Sequence, residues 1–252
     1  AGGCKESGPE TPTGGGQKQA PAGTSLSLPT ADTDAIDDAH VAAAGKLING
    51  GIEFFLSQRE DDGGWSMGGA NKPAITAMAL KALVQHPDFG ITSPIVTKGF
   101  ATLLSYQQPD GGIYNPKEGM SNYTTALAVM AMAASQDPQY TEATDKAVKY
   151  LKGLQILPGS ESPDGTKIGE DHPFVGGVSY GRHERPDLSN LGMWMQALKD
   201  AGVGEDDPHM QRALLFVDRC QNRSESNSMR WAIEGGNDGG SAYAPATKAD
   251  LT

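Results

Sequence analysis

The chain has 252 residues, 31 acidic and 20 basic, for a net charge of −11. That length allows one large domain or two small ones. So acidic a chain argues against nucleic acid, whose phosphates need a basic face, and against adsorption to anionic lipid. Its two cysteines, Cys4 and Cys220, form no Cys-x-x-Cys pair, so neither a zinc or redox pair nor a disulfide is expected. No run is long and apolar enough to span a bilayer.

Residues 1–34 are rich in Gly, Pro, Thr, Ser, Lys and Gln. Such a segment cannot bury enough apolar surface to offset its ordering entropy, and reads as a disordered tether. It begins Ala1-Gly2-Gly3-Cys4, which resembles the end of a bacterial lipoprotein signal, where small residues precede a lipidated cysteine. The resemblance implies a lipid on Cys4, export, and a cell-envelope location with membrane contact only through that anchor. The alternative is a linker that contains a cysteine.

The folded part is expected over 35–252. Asp34, Asp37 and Asp38 suit a helix N-terminus, where unpaired N–H groups favour negative charge. A helix follows over 39–57, with a weak spot at Gly50-Gly51. Residues 73–85 form the next, apolar nearly all round, with Pro73 in its first turn. The run Lys98–Gln107 is amphipathic. Residues 121–136 carry no charge at all, and Ser121 is the expected N-cap. In Lys146–Gln155, Ala147, Tyr150, Leu151 and Leu154 share one face and three lysines the other. Residues 188–198 are again apolar, with Asp187 as N-cap, and Arg212–Gln221 is amphipathic, with Cys220 on its apolar stripe. Asp-Pro pairs at 137–138 and 207–208 are expected to close the apolar helices.

Each amphipathic helix ends near a glutamine and leads to a glycine pair and an aromatic. Gln58 precedes Gly63-Gly64-Trp65, and Gln107 precedes Gly111-Gly112 and Tyr114. Gln155 precedes Gly176-Gly177 and Tyr180, and Gln221 precedes Gly239-Gly240 and Tyr243. A repeat at this period points to stacked supersecondary units. A helix apolar on every side must be buried on every side, so the apolar helices are expected inside and the amphipathic ones outside.

The pattern Lys/Arg-Ala/Gly-x-x-aromatic-aliphatic-x-x-x-Gln is complete in Lys146–Gln155 and in Arg212–Gln221. Lys98–Gln107 departs from it at Thr102, and the copy ending at Gln58 is one residue short. With the Gly-Gly-aromatic turns, it resembles the repeat of squalene-hopene cyclases and protein prenyltransferase β subunits over residues of about 40 to 245. The resemblance implies an all-α fold. It would be an α/α toroid of helical hairpins, with inner and outer helix rings, incomplete at about four repeats. In that family the glutamine and the aromatic brace neighbouring repeats, which gives Gln58, Trp65, Gln107, Tyr114, Gln155, Tyr180, Gln221 and Tyr243 a structural role.

The catalytic motifs of the resembled families are not met. Asp34-Ala35-Ile36-Asp37-Asp38 has one residue more than the cyclase Asp-x-Asp-Asp acid motif and precedes the first repeat. Where the prenyltransferases have a zinc cysteine two residues after an aspartate, Ser189 follows Asp187. No metal and no cofactor is therefore expected. Glu60-Asp61-Asp62-Gly63 lacks the alternating oxygen ligands of a calcium loop and reads as a turn. His172, His183 and His209 share no helical spacing and read as solvent-facing.

The densest polar stretch, Tyr180-Gly181-Arg182-His183-Glu184-Arg185, leads straight into an apolar helix. Loops on a rigid scaffold are where binding groups gather. Tyr180, Arg182, His183, Asp187, Asn190 and Asn122 are the candidate ligand-facing residues. The first functional expectation is a non-catalytic exported lipoprotein that binds an apolar or isoprenoid ligand or a protein partner, self-association included. One alternative is an isoprenoid cyclase or transferase with catalytic residues outside this chain. The other is a toroid polysaccharide lyase.

Overall fold

A computed structural model describes residues 37–162, 165–181 and 185–245. Among them the regular elements are helical: α1 (Asp38–Ser57), α2 (Lys72–Val84), α3 (Pro94–Leu104), α4 (Ser121–Ser135), α5 (Thr141–Lys152), α6 (Leu188–Asp200), α7 (Pro208–Cys220) and the short α8 (Arg230–Ile233). The fold is all-α. The proposed tether and Cys4 lie outside the described residues, as do Arg182 and His183. No helix among the described residues is long and apolar enough to cross a membrane.

The chain divides into two compact units, Ala1–Gly45 and Lys46–Thr252. In the first, the described residues are the start of α1, where Asp37 accepts the His40 N–H at 2.9 Å. In the second, α2, α4 and α6 form a row with α4 between its neighbours, while α3 packs on α2, α5 on α4 and α7 on α6.

Burial along the row is uneven. In α4 every residue from Thr124 to Met132 is buried, so the chargeless helix is enclosed. Its neighbours at the row's ends are not. Met78 on α2 is half exposed, and Gly192 and Gln196 leave one side of α6 open. The expectation that all three apolar helices are buried on every side is corrected for these two, because each has a row neighbour on one flank only. A Lys81–Asp200 ion pair of 3.1 Å ties α2 to α6 at their C-terminal ends.

Helix starts differ from the expected ones in three places. Asp137 caps the 3₁₀ turn Pro138–Tyr140 ahead of α5, and Asp207 caps α7 through the His209 N–H. The Asp-Pro pairs thus open the flanking helices rather than close the row helices. An aspartate accepts from exposed N–H groups, and proline needs none at a first turn. Likewise Met120 is the N-cap of α4 and Ser121 its first residue, with no side-chain cap.

Candidate functional site

The glycine turns position everything at the N-terminal ends of the row helices. In each, the first glycine has positive φ: Gly63 94°, Gly111 93°, Gly176 90° and Gly239 76°. Its N–H bonds back two or more positions before the pair, at 2.9 Å for Gly63 to Glu60, 2.9 Å for Gly111 to Gln108, 2.8 Å for Gly176 to Ile156 and 3.0 Å for Gly239 to Asn222. The second glycine's carbonyl accepts from the same four residues. An aspartate before the pair accepts the second glycine's N–H in three turns, through Asp62, Asp110 and Asp238.

The same bonds fix the register. Glu60, Gln108, Ile156 and Asn222 are equivalent, so the residue at the glutamine place in the first turn is Arg59, not Gln58. Gln58 is exposed, and its side-chain amide donates to the hydroxyl of its neighbour Ser57. The one-residue deficit of the first copy is thus made good by one more residue at the helix end.

The first three turns each pack against the following flanking helix. A Cβ on Gly63 would stand 2.6 Å from the Lys98 side chain. One on Gly111 would be 2.7 Å from the Lys146 carbonyl oxygen, and one on Gly176 only 1.9 Å from that of Arg212. The second glycines face the motif's aromatic place: Thr102 near Gly64, Tyr150 near Gly112 and Phe216 near Gly177. Between them sit the small residues Gly99, Ala147 and Ala213, all buried. The sequence motif is therefore a joint, with the basic residue, the small residue and the aromatic each set against one glycine turn.

The glutamines do not contribute equally. Gln155 is buried, and its Nε2 donates to the Gly176 carbonyl at 3.0 Å and to the His209 carbonyl at 2.8 Å. Its Oε1 lies 2.8 Å from His209 Nδ1, so that nitrogen carries the proton. Gln221 Nε2 reaches the Gly239 carbonyl at 3.3 Å. Gln107 Nε2 is buried with no partner. His209, read from sequence as a solvent-facing loop residue, instead lies in α7 at this joint; burial pushes its imidazole below the ordinary value of 6.5.

The aromatics divide as well. Trp65 is buried, with its indole N–H on the Phe55 carbonyl at 2.6 Å, and Tyr114 stacks on Tyr150 at 5.5 Å. Directly after the glycine pair, Trp65 is equivalent to Ile113 and Val178. The backbones of Trp65 and Ile113 are each clasped by a fully buried threonine, Thr76 and Thr125. Tyr180 and Tyr243 come three positions after their glycines and are exposed, Tyr243 by 60 %. Their side chains are not buried in a joint as that of Trp65 is.

Instead, both tyrosines stand at the start of the row helices beside the other candidate residues. Tyr180 accepts the Asn122 N–H through its carbonyl at 2.9 Å, and its ring lies 6.5 Å from that of Tyr123. The Tyr243 carbonyl accepts the Leu188 N–H at 2.9 Å. Partial desolvation, with Asp187 nearby, pushes the Tyr243 phenol above its ordinary value. Asp187 caps α6, as its spacing predicts. Its two oxygens accept from the Asn190 N–H and side-chain amide, both at 2.8 Å. Asn122 Nδ2 reaches the Asn190 carbonyl at 3.4 Å. The Oδ1 atoms of Asn122 and Asn190 are buried and accept from nothing. The sequence candidates Asp187, Asn190, Asn122 and Tyr180 are thus brought together, and their free oxygens suit a hydrogen-bond donor.

Away from that rim, Lys72 bridges Glu60 and Asp62 at 2.6 Å each, and this contact holds both carboxyls below their ordinary value. The acidic turn thereby anchors the start of α2. Among the described residues no three His, Cys, Asp or Glu are grouped to hold a metal ion. Cys220 is fully buried, and desolvation pushes its thiol to about 12, which makes it an inert core residue. A recess of about 480 Å³ runs between α6 and α7. Gly192, Met195, Val203, Met210 and Leu214 line it together with the polar Gln196, Lys199, Glu205 and Gln211. No protein-family model matches the chain, and no curated protein does.

Proposed function

We propose that this chain is a binding scaffold of the α/α-toroid type, similar to the squalene cyclase and prenyltransferase repeats, exported and tethered through Cys4. It works by holding a protein partner, not by turnover. Its seat is the α6–α7 groove, and the occupant is an apolar helix of that partner.

The observation that carries this reading is the way the row grows. α4 lies on α2 and is enclosed, whereas on α6 Gly192 and Gln196 stay exposed among the described residues, beside the recess that Met195, Val203, Met210 and Leu214 line. Gly192, Met195 and Met210 in that recess suit close helix contact and irregular gaps. A groove bounded by two helices with i, i+3, i+4 apolar positions is the usual receptor for an amphipathic or apolar helix. The motif residues, by contrast, are consumed by the joints.

A photo-crosslinking residue at Gln196, in protein expressed in its native host, tests the reading. The expected adduct is a protein segment of apolar helical sequence, lost when Met195→Glu is added. An adduct with a lipid instead would overturn the partner and establish the apolar-ligand expectation. No adduct would overturn both. The anchor is tested separately by the mass of the N-terminal peptide from native protein: an acylated Cys4 is expected, and an unmodified one ends that part.

A further inference from the structure

We propose that the cleft between the Gly111 turn and α5 binds a small acidic molecule, whose carboxylate or phosphate oxygens sit between the Lys149 ammonium and the Gln107 side-chain amide. The reading of the α6–α7 groove does not depend on it.

The cleft exists because this joint is built differently from the next. A cavity of about 600 Å³ lies between the turn and α5, with Gln107, Asp110, Lys146, Lys149, Tyr150 and Gly153 among its lining. On α7 the places of Lys146, Lys149, Tyr150 and Gly153 are held by Arg212, Leu215, Phe216 and Arg219. There Arg219 spans the space to the 156–175 insertion, donating to the His172 carbonyl at 2.7 Å. On α5 that place is a glycine, and the short turn from Gln107 to Gly111 has no insertion to reach. One joint is closed by an arginine and a long loop, and the other is left open.

Two donors at the open joint have no partner. Gln107 Nε2 is buried and unpaired, whereas Gln155 directs the same nitrogen to the Gly176 and His209 carbonyls. A buried polar group left in this state calls for an acceptor. No bond holds the Gln107 nitrogen, so turning it toward the cavity breaks none at that atom. Of the lysines on α5, Lys152 pairs with Asp207 and Lys146 with Glu142, each at 2.6 Å. Lys149 is exposed, lines the cavity and has no ion pair among the described residues. The carboxylate in the lining, Asp110, is already engaged by two donors, the Gly112 N–H at 3.1 Å and the Tyr114 hydroxyl at 2.9 Å. What the cleft lacks is an acceptor that also carries negative charge. An oxyanion is both, and hydrogen bonds to charged groups are the stronger kind. The net charge of −11 repels polyanions, but at physiological salt screening sets in within about 8 Å and leaves a small acid to the nearby lysine.

Titration of the full chain with inorganic phosphate and with acetate, at constant ionic strength, tests this through the NMR signal of the Gln107 side-chain amide. A saturable shift in the millimolar range is expected. Lys149→Gln should weaken binding by about tenfold, and Lys149→Arg should keep it. Gln107→Ala, followed at the Gly111 amide, should weaken it as well while leaving the fold intact by circular dichroism. Lys167→Gln, at an exposed lysine outside the cleft, should change nothing. Saturation by acetate alone supports a carboxylate ligand, and by phosphate alone a phosphate ester. No saturable shift with either anion would overturn the proposal. So would binding that survives both Lys149→Gln and Gln107→Ala, or that Lys167→Gln weakens as much as Lys149→Gln does.

Discussion

Gln155 and Gln107 hold the same place in successive turns, yet one makes three contacts and the other leaves its amide nitrogen buried and unpaired. The difference lies in the helix each faces. Three residues before the basic residue of the motif, α7 has His209, where α5 has Ala143. His209 supplies a ring N–H to Gln155 Oε1, and its carbonyl accepts from Gln155 Nε2. Ala143 has no ring to offer. A glutamine at this spacing is thus a brace only where the next helix answers it. Of the two joints, the one between α5 and α7 is the more tightly specified.

The largest expected effect breaks that joint at its glycine. In Gly176→Ala the new methyl meets the Arg212 carbonyl oxygen at 1.9 Å, while φ stays at 90°. Backbone overlap and left-handed strain together cost about 4 kcal/mol or more, since each alone costs about 1–3 kcal/mol. Gly239→Ala has the same sign of φ but nothing within 4 Å, so the strain alone, about 1 kcal/mol, is expected. Urea unfolding of the two variants measures the gap between them. Equal losses would mean that conformation, not packing, fixes the first glycine.

The second effect tests the brace itself. Gln155→Ala leaves two carbonyls and the His209 N–H unpaired in a buried place, a loss of about 2–3 kcal/mol. Gln107→Ala removes a group already without a partner at its nitrogen, and about 1 kcal/mol or less is expected. Chemical denaturation of both variants reads the difference. If Gln107→Ala cost as much as Gln155→Ala, the contrast between the joints would be wrong.

These contrasts also mark how far the sequence could be read. The spacing of Lys146, Ala147 and Tyr150 was legible as a repeat, but its role as a joint was not: the structure sets Lys146 and Tyr150 against Gly111 and Gly112. Helix periodicity was legible too, because burial imposes it on every turn. Register was not: Arg59 and Gln58 differ by one place, and only the turn hydrogen bonds separate them. Tyr180 and Tyr243 looked like members of the aromatic series, but two additional residues after the glycine pair carry them out of the joint. The role of Asp207 was misread because an Asp-Pro pair can follow one helix or begin the next; α6 ends at Asp200, and the accepted His209 N–H sets Asp207 at the start of α7. Of the rim, the α6 cap at Asp187 was visible as a spacing, while the meeting of Asn122 with Asn190 depends on α4 and α6 being neighbours in the row.

The smallest expected effect sharpens the comparison through pH. Burial lowers the His209 pKa below 6.5, with Lys152 and Arg212 pushing the same way and Asp207 opposing. A histidine whose folded value lies below its unfolded one is preferred neutral by the native state. Its contribution to stability is present above about pH 6.5 and is lost as pH falls through the folded value. Acidification therefore loosens the Gln155–His209 joint first at the imidazole, although Nδ1 keeps its proton and its bond to Gln155. His209→Asn removes the titrating group, so the slope of stability against pH below 6.5 should be shallower than in the parent chain. An unchanged slope would place the acid sensitivity at other groups and leave the joint between α5 and α7 no more pH-dependent than the one between α3 and α5.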